Sequence, residues 1–114
     1  MRTLRHLTCL LLAIGAAAPV FAATTADENN KTLVGVGSQV QGTGTSQTTM
    51  AYFYVAETWT LPCSNNVMYI DLSNSAGKAM YATILEAKAT GTQIYRVYYG
   101  ISGTTCTATL IEVR

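Results

Sequence analysis

Histidine is nearly missing from this chain. The single copy, His6, falls in the leader described below, so nothing after it carries an imidazole. That excludes Ser-His-Asp and Cys-His nucleophilic catalysis and every histidine metal site. Charge is scarce too, at 11% of residues. From residue 23 onward Lys31, Lys78, Lys88, Arg96 and Arg114 stand against Asp27, Glu28, Glu57, Asp71, Glu86 and Glu112. That is five cations to six anions, a net charge of −1. With no basic run, binding of nucleic acid by phosphate neutralisation has no support. Phosphate-cradling loops are lacking as well. Gly35-Val36-Gly37 lies inside a strand-like run and Gly42-Thr43-Gly44 inside a turn, and neither opens a helix behind a strand. No metal, catalytic centre or cofactor is expected.

One apolar stretch breaks this polar-neutral background. Arg2, Arg5 and His6 precede an apolar run from Leu7 to Ala18 that is too short to span a bilayer, and Val20-Phe21-Ala22 follows with small residues where a signal peptidase reads. A secretory signal over residues 1–22, cleaved between Ala22 and Ala23, is expected. A lipoprotein signal needs a cysteine after the run, whereas Cys9 lies at its beginning. The product is expected to be exported, periplasmic or secreted, with no membrane span after cleavage. The remaining chain of about ninety residues is one domain, close to the size at which a core alone is marginal. Two cysteines remain, Cys63 and Cys106. In an oxidising compartment such a pair is expected to form a disulfide, and neither has the partner ligands a metal site would need. The bridge would close a loop of about forty residues, worth roughly 4 kcal/mol in chain-entropy terms.

Periodicity then gives the elements. Residues 23–31 are polar and read as a flexible N-terminus, leaving 32–114 as the folded domain. Leu33 to Val40 suggests a first strand, loosened by Gly35 and Gly37. Gln41 to Thr48 has turn composition. Met50 to Ala56 is a strand with aromatic or branched residues on both faces. Glu57 to Asn66 is a loop holding Trp59, and Val67 to Leu72 a third strand. Ser73 or Ser75 would cap a helix from Ala76 to Ala89, with Met80, Ile84 and Ala87 aligned on one face, Tyr81 and Leu85 widening it, and Gly91 as the stop. Lys88 would oppose the helix dipole in the last turn. The period then drops to two. Tyr95, Val97, Tyr99 and Ile101 face one way and Ile94, Arg96 and Tyr98 the other, and Cys106 to Val113 makes a final strand. The expected fold is mainly β with one helix (α+β). It would be a small five-stranded barrel of oligonucleotide/oligosaccharide-binding type, or a curved antiparallel sheet, in the order β-β-β-α-β-β.

Two candidates for chemistry remain. Glu57 and Asp71 flank the Trp59 loop, and glycoside hydrolysis needs only two carboxylates about 5–10 Å apart. They read as solvated acids at a loop end and on a strand face, and no enzyme is expected. The second candidate is tyrosine, with seven copies beside Phe53 and Trp59. Its apolar ring and polar tip suit interfaces and stacking on sugars. Alternation forbids all of these rings from facing one core, so one sheet face should carry exposed rings. Tyr52, Tyr54, Trp59 and Tyr98 are the candidate binding surface. Trp59→Ala should then abolish binding with little loss of thermal stability. The expected function is a non-catalytic binding module for a glycan or a cell-surface partner. The alternative is a periplasmic assembly protein that self-associates or binds a protein through the same tyrosines.

The run Lys78 to Gly100 (K-A-M-Y-A-T-I-L-E-A-K-A-T-G-T-Q-I-Y-R-V-Y-Y-G), followed by a late cysteine and a last strand, resembles the receptor-binding B subunits of pentameric bacterial toxins, especially the subtilase-cytotoxin and pertussis-like type. The likeness covers about Ala51 to Val113, and its most specific part is Ala87 to Tyr99. It implies a five-stranded barrel with a helix inserted between its strands. It also implies assembly of five copies with their helices around a central pore, and sialylated glycans bound on the outer surface. The glycan-contacting serine and acid motif of those subunits has no match here, so no binding residue carries over.

Overall fold

The structure, a computed structural model, describes residues 24–114; the leader read over residues 1–22 lies outside them. Six strands and one helix follow in the order β1 (Thr25–Lys31), β2 (Leu33–Gln41), β3 (Thr48–Val55), β4 (Val67–Asp71), α1 (Ser75–Thr90), β5 (Ile94–Ser102) and β6 (Thr105–Val113). They form one sheet in the order β1-β5-β6-β4-β3-β2. Its two end strands are successive halves of one segment, parted only by Thr32, and that segment pairs with β5 along its first half and with β3 along its second. Thr32 is fixed where the halves meet. Its N–H and hydroxyl each donate to the Glu57 carboxylate at 2.8 Å, and its carbonyl accepts from the Ala56 N–H at 2.9 Å.

Two expectations change here. The strand count is six, because the polar segment Thr25–Lys31, expected to be flexible, is the strand β1. Its sequence shows no alternating apolar side chains. Its pairing with β5 runs through the backbone ladder, the Arg96–Asp27 ion pair at 2.6 Å and the hydrogen bond that the Tyr99 hydroxyl donates to Glu28, whose carboxylate is also paired within β1 to the buried Lys31. The sheet is also not wholly antiparallel. β4 and β6 run parallel, with Met68 opposite Cys106 and Tyr69 opposite Thr107. A parallel pair needs a long crossover, and α1 with β5 supplies it.

The core follows from alternation. Ala51, Phe53 and Val55 on β3, Met68 and Ile70 on β4, Val97 and Tyr99 on β5, and Cys106 and Ala108 on β6 all point inward and are buried. Helix α1 packs on β2, β4 and β6 and adds Ile84 and Ala87 to that core, with Met80 and Tyr81 half-buried beside them. Leu85, expected to widen the apolar stripe, is 42% exposed instead. The helix starts at Asn74, whose side-chain oxygen accepts from the Gly77 N–H at 2.7 Å; neither neighbouring serine takes the cap. Gly77 sits so close to the Asp71 carbonyl that a Cβ there would overlap it. Gly91 ends the helix in the left-handed region at φ 68°, and the Thr92 N–H donates to the Ala87 carbonyl at 3.0 Å. Lys88 in the last turn reaches across to donate to the Val34 carbonyl at 2.9 Å, tying the helix end to β2. The expected disulfide Cys63–Cys106 is present and joins the loop after β3 to the start of β6. Among the described residues no helix is long and apolar enough to cross a membrane.

Candidate binding surface

Three tyrosines meet on the outer face of the sheet. Tyr52 and Tyr54 alternate outward from β3, and Tyr69 on β4 stands directly opposite Tyr52. The Tyr52 ring lies 5.6 Å from that of Tyr54 and 6.5 Å from that of Tyr69, tilted and edge-on respectively. Beneath them runs β2, with Gly37 opposite Tyr52 and Gly35 opposite Tyr54. A Cβ at either glycine would collide with the facing ring. The matched spacing, Gly-x-Gly against Tyr-x-Tyr, therefore lets the rings lie over bare backbone, a cross-strand contact that favours both partners. Crowding by neighbouring groups, and then the Tyr52 and Tyr69 phenols, hold the Tyr54 hydroxyl above its ordinary range. The cluster contains no acidic or basic side chain and is rich in hydroxyls. Tyr54 is 37% exposed.

The other sequence candidates lie elsewhere. Tyr98 is exposed, but it stands on β5 opposite Asp27 and Leu110, separated from β3 by β6 and β4. Trp59 is a core residue, not a surface ring. Only 4% of it is exposed, and it packs edge-on against Phe53 and Tyr99 at centroid distances of 6.1 and 5.3 Å. Its indole N–H donates to the Asn66 carbonyl at 3.2 Å, while the Lys31 ammonium sits 5.2 Å from its ring centre. The rest of the loop is tied down in the same way. The Glu28 carboxylate accepts from the Thr60 N–H at 2.8 Å and from the Tyr99 hydroxyl, which itself accepts from the Leu61 N–H at 3.2 Å. Burial and the Glu28 carboxylate push the Tyr99 phenol up to about 12. Burial pushes the Glu28 carboxyl upward, but hydrogen bonds from Lys31, Tyr99 and Thr60 outweigh it and leave the group below its ordinary value.

Glu57 serves a long-range tie and Asp71 a local turn. Glu57 holds Thr32, and the Thr32 N–H holds its carboxyl below the ordinary range. Asp71 accepts from the Ser73 N–H at 2.8 Å, which lowers its carboxyl likewise. A cleft of about 320 Å³ opens beside Asp71, between the helix start and β6, lined by Asp71, Asn74, Met80, Thr107, Ala108 and Thr109 among others. Sequence reasoning names Gly35 and Gly37 only as loosening a strand, and it places neither Tyr69 nor Thr107 at a site. The Gly-x-Gly and Tyr-x-Tyr spacings were the available signal.

No protein-family model matches the chain, and no curated protein matches it significantly. Among solved structures it is similar to the cholera toxin-like B-subunit from Citrobacter freundii, with 16% sequence identity and a TM-score of 0.51 over 82% of this chain and 88% of that one. The fold is therefore that of a toxin B subunit, as the helix-glycine-strand run suggested.

Proposed function

We propose that this chain is an exported, non-catalytic receptor-binding subunit that recognises a glycan on a cell surface through its outer tyrosine face and works as a ring of identical copies. The observation that carries the reading is the cluster of Tyr52, Tyr54 and Tyr69, neutral, partly exposed and seated on a glycine floor. Aromatic rings with polar tips on a rigid sheet suit stacking on sugar rings. The likeness in fold to a toxin B subunit supports the same function. Ring assembly is what the sequence resemblance implies. Val34 and Val40 on β2 and Leu85 on α1, all more than 40% exposed, are the apolar side chains a neighbouring copy would cover.

The test is a glycan array probed with the oxidised protein and with a Tyr52→Ala/Tyr54→Ala variant. Wild type should bind a defined set of glycans, and the variant should lose it while keeping a melting temperature near that of wild type. Absence of any bound glycan, or equal binding by the variant, would remove the tyrosine face as the receptor site.

A further inference from the structure

We infer that the cleft beside Tyr69 takes a neutral, hydroxyl-rich saccharide unit and rejects one that carries a carboxylate. This rests on the receptor-binding reading and specifies its ligand.

The cleft and the tyrosine face are neighbours. Thr107 lines the cleft and is also the register partner of Tyr69, while Asp71 lies two residues beyond Tyr69 on the same side of β4. A ring stacked on Tyr69 and Tyr52 would therefore present its edge to the cleft. The lining there mixes an apolar part, Met80 and Ala108, with hydrogen-bonding residues Asp71, Asn74, Thr107 and Thr109. Apolar walls with a few polar groups are the usual make-up of small-ligand sites. The Asp71 carboxylate accepts from the Ser73 N–H and is held also by the Ser73 side chain, and its remaining lone pairs can accept from a ligand hydroxyl.

Charge decides the class. No lining residue of the cleft is a cation. Among the described residues, Lys31 is buried against Glu28, Arg96 is paired with Asp27, Lys88 is bonded to the Val34 carbonyl, and Arg114 stacks on Tyr95 at 3.5 Å. Lys78 is exposed on the helix and does not line the cleft. A carboxylate placed here would meet the full charge of Asp71 with no side-chain cation in the lining to offset it, only the partial positive charge of the α1 start, whereas a sugar hydroxyl would find an ionised acceptor.

The test titrates the full exported chain with neutral hexose oligosaccharides and with the same oligosaccharides capped by sialic acid. Neutral ligands should bind at least about tenfold more tightly than their capped forms. Asp71→Asn keeps an oxygen for Ser73 but removes the charge, and should weaken neutral binding by about tenfold. Thr107→Val keeps the shape of the side chain and should weaken it by about three- to tenfold. Tighter binding of the capped forms would overturn the charge assignment and leave the receptor-binding reading intact. Neutral binding unmoved by both substitutions would place the site away from the cleft, again sparing that reading. Binding of neither class would overturn both.

Discussion

Replacing Trp59 by alanine should unfold this protein more readily without acting on the tyrosine face. Trp59 is 4% exposed and touches Phe53 and Tyr99 edge-on. Truncation removes most of a large buried ring and leaves a cavity that the strands cannot close, because the Cys63–Cys106 bridge and the Asn66 hydrogen bonds hold the surrounding loop in place. Buried tryptophan-to-alanine changes cost about 3–5 kcal/mol. The Lys31 ammonium would also lose its packed ring while remaining buried with Glu28, which favours the upper part of that range. A domain of this size has about 5–14 kcal/mol of stability in total. A loss of about 4 kcal/mol should therefore lower the melting temperature by roughly 15–30 °C. The assay is circular dichroism of the oxidised protein during heating, with Tyr54→Ala as the surface control, expected to cost under about 1 kcal/mol. A Trp59→Ala variant that melts within a few degrees of wild type would refute the core assignment. It would also restore the ring as a surface candidate.

Other perturbations test separate parts of the structure. Changing both Cys63 and Cys106 to serine should cost about 4 kcal/mol, since the bridge spans 43 residues, and urea titration of the two forms would measure it. A smaller effect, below about 1 kcal/mol, would mean that the unfolded chain gains little freedom when the bridge is lost. The folded pKa of Glu28 lies below its unfolded value of about 4.5, so its contribution is complete above that pH and disappears as pH falls through the folded value. Asp27, Glu57 and Asp71 shift the same way, so stability should be level above about pH 5 and decline below it. Glu28→Gln should flatten the decline, and an unchanged slope would remove Glu28 from the cause. Gly37→Ala places a methyl against the far end of the flexible Tyr52 side chain, so the ring should move aside with little loss of stability. Chemical shifts of Tyr52 and Tyr69 would report that movement. Gly77→Ala meets the rigid Asp71 carbonyl instead and should cost about 3 kcal/mol by thermal melt.

The parts of the fold that were legible in the sequence are those written in side-chain periodicity. Ile84 and Ala87 mark the buried helix face, Gly91 marks its end, and Phe53 between Tyr52 and Tyr54 marks β3 with its two faces. Strand β1 was invisible because its partner-specific contacts, Asp27 with Arg96 and Glu28 with Tyr99, start from polar residues that look like any solvated tail until β5 lies beside them. Trp59 was misplaced for a related reason. A tryptophan between Thr58 and Thr60 in a loop carries no period, and only the arrival of Phe53, Tyr99 and Lys31 shows that the loop turns inward. Tyr52 and Tyr54 were found by alternation alone. Tyr69 joined them through a register that the single sequence does not state, since nothing in Val67–Asp71 says which strand it will pair with.

The most direct test of the proposed receptor-binding ring is the solution mass of the oxidised chain from Ala23 to Arg114 by light scattering behind a sizing column. A ring of about five copies is expected. A monomer at micromolar concentration would contradict it and leave Val34, Val40 and Leu85 exposed without a neighbouring copy to cover them.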